Sequence, residues 1–511
     1  MWFVLFILGA AFIYQLYRWA TANFDFFEKR QIPYDKPFPV FGSFKSVTLR
    51  RRSMFDTLID LYNQHKGGIY GVFYQTTPIF LIRDIDLVRQ ITVKDFDHFM
   101  NHNNFFGEDS HDLLANSLFL LKNDKWKDMR STLSPAFTGS RLRQMFELIN
   151  QVAEDSTNYL HKLHSKESCN GIELDFKDYA TRFTNDAIAS TAFGLQVNSF
   201  EQKDNTFYVM GKKANSSSFW VYLRLLLFTQ CKRLAKLLRI EFVDKSSTKY
   251  FRHLVLDAFK YRKERNIRRP DMINLLMEAR GLFPTDSPKA HNREWTDTEM
   301  VAQCFIFFLG GFDTMSTLIC FAAYELMANP DVQEKLFEEV EEINKRREGK
   351  RLTYEDLHAM KYLEMVVNET MRKWPPIILL NRICTKDFLF EANGERKEIK
   401  KDEIIMIPVS GIHRDPQYYP NPDNFDPERF SAENKDKIKP FTFIPFGEGP
   451  RNCIASRFAP LEAKAILYYL VRDFRITAAK RTILPIELEK KGLSLAPING
   501  FWLKLIARNK I

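Results

Sequence analysis

The sequence predicts a mainly α-helical protein with small β-sheets, built as one large domain behind an N-terminal membrane anchor. Helical patterns dominate: the capping box TDTE at 296–299 opens an apolar run that continues to Ala328 and stops at Asn329-Pro330. Strand patterns are short, such as two alternating runs around a turn within residues 69–82. After Phe44 we find no internal repeat and no linker long enough to separate a second domain.

The first twenty residues, MWFVLFILGAAFIYQLYRWA, carry no charge before Arg18. About twenty apolar residues form a helix just long enough to span a bilayer. A cleaved signal peptide is the alternative, but its basic residues normally precede the apolar core. Here Arg18, Lys29 and Arg30 all follow it. Because positive charge stays on the cytoplasmic side, we predict a transmembrane signal anchor over residues 1–20, with the rest of the chain in the cytosol.

Residues 21–43 are charged and rich in proline, with Pro33, Pro37 and Pro39 ahead of Gly42. Prolines at this density favour stiff, extended backbone. This segment is therefore predicted to be a hinge and spacer that holds the globular domain, residues 44–511, off the membrane.

Charge and cysteine content narrow the function classes. Lys and Arg outnumber Asp and Glu by 74 to 64, which fits simple solubility, an acidic protein partner or an anionic membrane surface. No tract of basic residues interleaved with aromatics suggests nucleic acid as a partner. The six cysteines show no CxxC spacing, which argues against a zinc cluster or a disulfide framework and suits a reducing compartment.

The stretch FIPFGEGPRNCIA, residues 443–455, surrounds Cys453 with chemistry suited to a thiolate. Gly447 and Gly449 supply flexible backbone whose N–H groups can approach a sulfur atom closely. The helix that follows presents its N-terminus, which favours an anion. Such a thiolate is either a nucleophile or a metal ligand, and a buried structural cysteine is the remaining alternative.

This stretch, with Phe446, Gly449, Arg451 and Cys453 in that spacing, resembles the haem-binding loop of the cytochrome P-450 family, in which a cysteine thiolate binds haem iron. The resemblance extends over essentially the whole chain and looks closest to insect microsomal members, in the clan that includes vertebrate drug-metabolising enzymes. It implies a P-450-type haem domain that carries haem b with Cys453 as axial ligand. It also implies a monooxygenase that inserts one atom of O2 into a lipophilic xenobiotic, hormone or lipid.

Two departures from the family pattern lie just beyond the cysteine. Ala455 stands where most members carry glycine, which is a mild change. Pro460 is expected in the second turn of the following helix, where an interior proline costs about 3 kcal/mol and kinks the helix.

Glu369 and Arg372, in ETMR, are three residues apart and share one face of a helix. From spacing alone they fit an exposed ion pair of little energetic weight. The resemblance pairs them with Arg429, in PERF, and implies a buried structural lock behind the haem.

The long apolar helix contains GGFDT, residues 310–314. Gly310 and Gly311 suit either close packing of two helices or a flat group lying against the backbone. Thr314 either bonds to its own backbone or serves chemistry together with Asp313. The resemblance implies the second role in each case, with Asp313 and Thr314 as catalytic residues that deliver protons.

Arginine suits the haem propionates because its planar fork grips a carboxylate through two hydrogen bonds. Individually each arginine fits an ordinary surface or core position. The resemblance implies a propionate set formed by Trp126, Arg130, Arg382 and Arg451. It also makes Phe105 and Phe106 candidate substrate contacts.

The chain has no Rossmann fingerprint and no flavin domain, so its electrons must come from elsewhere. The resemblance implies an NADPH–haemoprotein reductase, with cytochrome b5 as a further candidate partner, at the endoplasmic reticulum membrane and on its cytosolic face. The predicted docking patch, which equally fits simple solvation, consists of Lys122, Lys125, Lys127, Arg141 and Arg143. Three alternatives are a haem-thiolate isomerase or dehydratase that does not use O2, a non-catalytic haem sensor, and a cysteine hydrolase with His413 as its base.

Overall fold

The computed structural model describes residues 1–103, 112–167, 171–216, 224, 227–228, 237–238, 240–269, 271–283, 295–392, 394–490 and 495–508. Within these ranges helices predominate and strands are short, so the predicted fold class is confirmed.

The first helices in chain order are α1 Trp2–Thr21, α2 Lys45–Thr48, α3 Met54–Gln64, α4 Ile85–Arg89, α5 Asn123–Leu133, α6 Gly139–Glu167, α7 Phe176–Ile188 and α8 Thr206–Ala214. They are followed by α9 Lys245–Arg265, α10 Met272–Ala279, α11 Asp297–Ala328, α12 Pro330–Arg346, α13 Tyr354–Ala359, α14 Lys361–Lys373, α15 Val409–His413 and α16 Phe458–Asp473. Short 3-10 turns cover Glu28–Arg30, Phe96–His98, Ser134–Phe137, Pro427–Phe430 and Lys435–Lys437, and π-helical turns cover Gln90–Lys94 and Ala189–Phe193.

The strands form small sheets at the edges of the helical body. They are β1 Ile69–Tyr74, β2 Thr77–Ile82, β3 Ile172–Asp175, β4 Leu380–Ile383, β5 Phe388–Ala392, β6 Glu395–Ile399, β7 Ile404–Ile407, β8 Phe474–Ala478 and β9 Trp502–Ala507. The sheet orders are β1-β2-β7-β4, β3-β9-β8 and β5-β6. Only β2 and β7 pair in parallel among the described strands, so most pairings are antiparallel.

Helix α11 passes through the protein core and agrees with its prediction at both ends. The Thr296 hydroxyl accepts from the Glu299 N–H, the Glu299 carboxylate accepts from the Thr296 N–H, and Asn329 follows the last turn. Its apolar side chains contribute to two separate hydrophobic clusters. A helix that is apolar almost all round is stable only when other elements cover it, as they do here.

Two described helices are long and apolar enough to cross a membrane, and they differ in their surroundings. Helix α11 is largely covered by the domain, which identifies it as a core helix. Helix α1 instead exposes its large apolar side chains along its whole length, from Trp2 to Trp19. The N-terminal helix therefore has the length and surface of a membrane anchor.

Residues of the predicted hinge and spacer, 21–43, pack against the domain. Phe27 is fully buried, with its ring edge-on to Phe73 and Phe80 at 5.3 Å between centroids in each pair. The Gly71 N–H donates to Pro33 O at 2.8 Å, which attaches the segment to β1. Burial of these apolar rings outweighs the tendency of a proline-rich segment to stay extended in solvent.

Pro460 also differs from its prediction. Helix α16 begins at Phe458, so Pro460 lies in its first turn rather than its second. Backbone N–H groups in the first turn have no acceptor within the helix, so a proline there sacrifices no helical hydrogen bond. The expected kink and its cost do not apply at this position.

Candidate active site

The loop before α16 folds tightly around Cys453. Its backbone N–H donates to Phe446 O at 2.8 Å, and the Gly447 N–H donates to Ile444 O at 3.0 Å. Gly447 and Gly449 adopt φ values of +71° and +74°, which side-chain-bearing residues rarely tolerate. The flexible backbone that the sequence predicted at these two glycines therefore forms tight turns of the loop.

The Cys453 thiol is open to solvent, although protein surrounds it closely. Desolvation by that surrounding protein raises the pKa of the thiol, while the Ala455 N–H and the charge of Arg130 act in the opposite direction. Without a further positive charge at the sulfur, the thiol form is favoured.

Arg130 and Arg451 bind the cysteine loop to the neighbouring elements. Arg130, on α5, donates to the backbone and side-chain oxygens of Asn452 at 2.8 Å each. Arg451 is buried and lies over the Trp126 ring, with its guanidinium carbon 4.4 Å from the ring centroid. It donates to the carbonyl oxygens of residues 100, 118 and 121 at 2.9, 3.0 and 2.5 Å.

Arg382, on β4, is a second buried guanidinium close to Arg451. Its Nη1 donates to Asn381 O at 2.8 Å and lies 3.0 Å from His102 Nδ1, while its buried Nε has no hydrogen-bond partner in the part of the chain that the structure describes. Burial lowers the pKa of Arg382 to about 10. Burial, followed by the charges of Arg382 and Arg130, lowers the pKa of Arg451 to about 8.

Within the described ranges, the hydrogen bonds of these three guanidiniums go to neutral acceptors and to no carboxylate. Buried cations are ordinarily paired with anions, because an unpaired charge in a low dielectric is costly. Among the described residues these guanidiniums therefore have no carboxylate partner, and a ligand with carboxylate groups fits the site.

The two glycines of α11 have different surroundings. A Cβ atom at Gly310 would meet nothing within 4 Å, so the backbone there is accessible to a flat group. A Cβ atom at Gly311 would lie 2.2 Å from Ile188 Cδ1. Gly311 thus provides close packing between α11 and α7, whereas the backbone at Gly310 leaves room for a flat group.

Asp313 and Thr314 each have a partner in the protein. The Thr314 hydroxyl donates to Gly310 O, one turn earlier. Lys177, on α7, lies 3.1 Å from Asp313 Oδ1 and donates to Ser316 Oγ and Thr317 Oγ1 at 2.8 Å each. Roughly a third of each charged side chain in this ion pair stays exposed, so water reaches it.

Glu369 and Arg372 form a fully buried, two-point ion pair, with both nitrogen–oxygen distances at 2.7 Å. Arg429 Nε lies 3.5 Å from Glu369 Oε1, and the Asp426 N–H donates to the same oxygen at 2.9 Å. The alternative of an exposed surface pair is therefore wrong, and the predicted association with Arg429 is present.

The two predicted substrate contacts, Phe105 and Phe106, lie outside the described residues. His102, Lys177 and Asn452 also contact site residues. Asn452 lies within the quoted cysteine stretch but was not singled out, whereas a lone histidine in a loop and a lysine 136 positions before its aspartate carry no local signal.

A solvent-reachable thiol, arginines that bind no carboxylate of the described residues and an accessible helix backbone at Gly310 suit a flat dicarboxylate metal complex. Cysteine ligation of such a group defines the class of haem-thiolate proteins. A family model described as "Cytochrome P450" matches residues 32–503. The chain belongs to the cytochrome P450 family, and it is a haem monooxygenase whose axial ligand is a cysteine thiolate.

Curated relatives agree over nearly the full length. The chain is 54% identical over 518 residues to "Probable cytochrome P450 9f2" of Drosophila melanogaster, covering 99% of each protein. It is 40% identical over 507 residues to "Cytochrome P450 9e2" of Blattella germanica, covering 96% of this chain and 95% of the relative. It is 32% identical over 516 residues to "Cytochrome P450 6A1" of Musca domestica, covering 99% and 98%.

Proposed function

We propose that this chain binds haem b through Cys453 and inserts one atom of O2 into a lipophilic small molecule, a xenobiotic or an endogenous hormone or lipid. The observation that carries the proposal is the buried pair of guanidiniums, Arg382 and Arg451, whose hydrogen bonds within the described residues go to no carboxylate. Arg451 belongs to the same loop as Cys453, so the carboxylate-binding group and the metal-binding group are close in sequence and fold.

Arg130, Arg382 and Arg451 hold the haem propionates in this proposal, and Trp126 supports Arg451 from below its guanidinium plane. Carboxylates here would neutralise the buried charge and give Arg382 Nε an acceptor. When bound, the haem supplies the oxygen-activating chemistry, and the thiolate ligand donates electron density that favours O–O cleavage. A metal at the sulfur also offsets the desolvation that raises the pKa of Cys453.

Asp313 and Thr314 move protons toward the face of the site at Gly310. Water reaches the partly exposed Asp313 carboxylate, and Lys177 holds that carboxylate on the α7 side of α11. The Thr314 hydroxyl, held by Gly310 O, lies one turn from the accessible backbone position. We assign Lys177 to orienting Asp313. We assign Thr314 to donating a hydrogen bond at the reacting atoms, for which its single hydroxyl proton turns away from Gly310 O.

A membrane-bound NADPH–haemoprotein reductase is the proposed electron donor, with cytochrome b5 as a further partner. Basic side chains around α5 support an acidic partner, although several have acidic neighbours of their own. Lys125 lies 3.7 Å from Glu299, Lys127 lies 4.0 Å from Asp97, and Arg143 pairs with Glu355. All three basic side chains remain more than half exposed, so a partner's carboxylates can still reach them.

Helix α1 supports a membrane location, for which we propose the endoplasmic reticulum with the catalytic domain on the cytosolic face. The proposed divisions are an anchor at 1–20, a connecting segment at 21–43 and a catalytic domain at 44–511. The contacts of Phe27 and Pro33 attach the connecting segment to that domain.

The test is the optical spectrum of the reduced protein with carbon monoxide. We expect a strongly red-shifted Soret band in the full chain and its complete loss in Cys453→Ala. Cys384→Ala is the matched control, because Cys384 is a buried free thiol on the edge of the β4 sheet and should retain the band. A wild-type chain without the band, or a Cys453→Ala variant that keeps it, overturns the assignment.

A further inference from the structure

His102 is a buried histidine at the edge of the guanidinium pair. Its Nδ1 lies 3.0 Å from Arg382 Nη1 and 3.0 Å from Asn381 O. Its ring stacks on Phe119, with 4.9 Å between ring centroids and 30° between the planes. The neighbouring Asn103 N–H donates to the Asn381 side-chain oxygen at 2.9 Å, which fixes the loop on β4.

The surroundings of this imidazole favour its neutral form. Nδ1 cannot accept from Arg382 and donate to Asn381 O at the same time, and a doubly protonated ring would place an N–H and a positive charge against a guanidinium that can only donate. Burial lowers the pKa of His102 well below its usual range, and the charges of Arg382 from β4 and Arg451 from the cysteine loop add to this. The ring is therefore uncharged while no anion lies beside the two arginines.

We propose that His102 is a fourth cation of the carboxylate site, beside Arg130, Arg382 and Arg451, and that it takes up a proton when the haem propionates bind there. This inference rests on the proposed function. Propionates bring negative charge next to the imidazole and satisfy the N–H of Arg382 that now faces the ring. The ring can then hold a proton on each nitrogen and donate to a carboxylate.

The proton uptake makes haem retention depend on pH in a defined direction. Because the pKa of His102 is higher with the propionates present, haem binding is accompanied by proton uptake between the two pKa values. The contribution of His102 is complete at low pH and is lost as pH rises through the pKa of the haem-bound state. Ionisation of Cys453 has the opposite effect, because it strengthens haem binding as pH rises. Wild type and variants share this effect, so the ratio of their haem dissociation rates reports on His102 alone.

The experiment measures transfer of haem from the ferric holoenzyme to excess apomyoglobin, followed in the Soret band from about pH 6 to about pH 9. His102→Arg carries a permanent charge, so the ratio of wild-type to His102→Arg dissociation rates should rise roughly tenfold across this range. His102→Gln should lose haem faster than wild type at low pH and at a similar rate at high pH. His98→Gln is the matched control, since His98 lies in the same segment and its ring Nδ1 contacts Lys386 O at the protein surface, away from the arginines.

A histidine that only packs on Phe119 gives a different result. The rates of wild type and His102→Gln would then differ by one factor at every pH, and His102→Arg would not slow haem loss. That outcome overturns the role of His102. Since holoenzyme with the red-shifted carbon monoxide band is the starting material, it leaves the proposed function intact; a chain that never shows the band overturns the proposed function instead.

Discussion

At the scale of single residues, Gly449 is the position where the cysteine loop allows least change. Its φ is +74°, and an added Cβ would lie 1.8 Å from the backbone oxygen of Thr92. Backbone cannot move aside as the end of a flexible side chain can. We expect Gly449→Ala to displace the loop and to abolish haem incorporation, measured as the amount of bound haem per folded chain.

Gly349 provides the matched control, because its φ is +78° and a Cβ there would meet nothing within 4 Å. Gly349→Ala therefore carries only the left-handed backbone strain, about 1 to 2 kcal/mol in the free energy of unfolding. It should keep a full complement of haem. Equal haem content in the two variants would show that the contact with Thr92 does not determine the loop's position.

The residue scale also shows what sequence can and cannot predict. The spacing around Cys453 identified a thiolate site, because glycine turns and a nearby arginine are local features that a short motif contains. The sequence could not separate Gly310 from Gly311, since only the position of Ile188 on α7 distinguishes an accessible glycine from a packed one. His102 was missed for the same reason, because its partner Arg382 is 280 residues away.

At the scale of elements, His413 joins α14, α15 and the segment that leads into the cysteine loop. Its Nε2 accepts from the Ile444 N–H at 2.9 Å, and its Nδ1 lies 3.2 Å from Arg372 O. These contacts fit a neutral ring that donates through Nδ1, with no site for a second proton. This position makes His413 a structural link. It therefore does not serve as the base for Cys453 that the cysteine hydrolase alternative required.

Burial, followed by the charge of Arg372, lowers the pKa of His413 to about 3, from about 6.5 in an unfolded chain. Below pH 6.5 the unfolded chain therefore binds one proton more than the folded chain. The stabilising contribution is complete above that value and falls by about 1.4 kcal/mol for each pH unit as pH decreases toward 3.

We expect this acid-linked loss to disappear from the unfolding free energy of His413→Gln, measured by denaturant titration of the full chain in detergent between about pH 6 and about pH 5. The exposed His253→Gln should keep the wild-type pH dependence. If His413→Gln retains the wild-type slope as well, another buried group causes the acid sensitivity.

The elements themselves were predicted with different success. Helix α11 was predictable from end to end, because its capping box and the Asn329-Pro330 stop are written in adjacent residues. The start of α16 was misjudged, because the turn after Cys453 delays the helix to Phe458 and so moves Pro460 into the first turn. Helix starts depend on how the preceding loop is held, and that loop is held by residues distant in sequence.

At the scale of the whole molecule, the boundary between anchor and domain lies earlier than the prolines suggested. Phe27 is fully buried and Ile32 nearly so, and Arg30 lies 2.6 Å from Glu403 on the loop before β7. The sequence pattern identified where extended backbone was favoured, but it could not show that the same segment covers β1 and β2. The amino-acid composition of a segment predicts its local stiffness, whereas its burial depends on the surface against which it packs.

This boundary predicts how two truncations will differ. A variant lacking residues 2–19 loses only side chains that are exposed, so its unfolding free energy should match that of the full chain in detergent. A variant lacking residues 2–43 also loses the burial of Phe27 and Ile32, worth roughly 2 kcal/mol each, and leaves the Gly71 N–H without Pro33 O. Denaturant titration, with the carbon monoxide band as a check on the site, should show the second variant to be less stable by several kcal/mol. Equal stability of the two variants would show that the contacts of Phe27, Ile32 and Pro33 do not stabilise the domain.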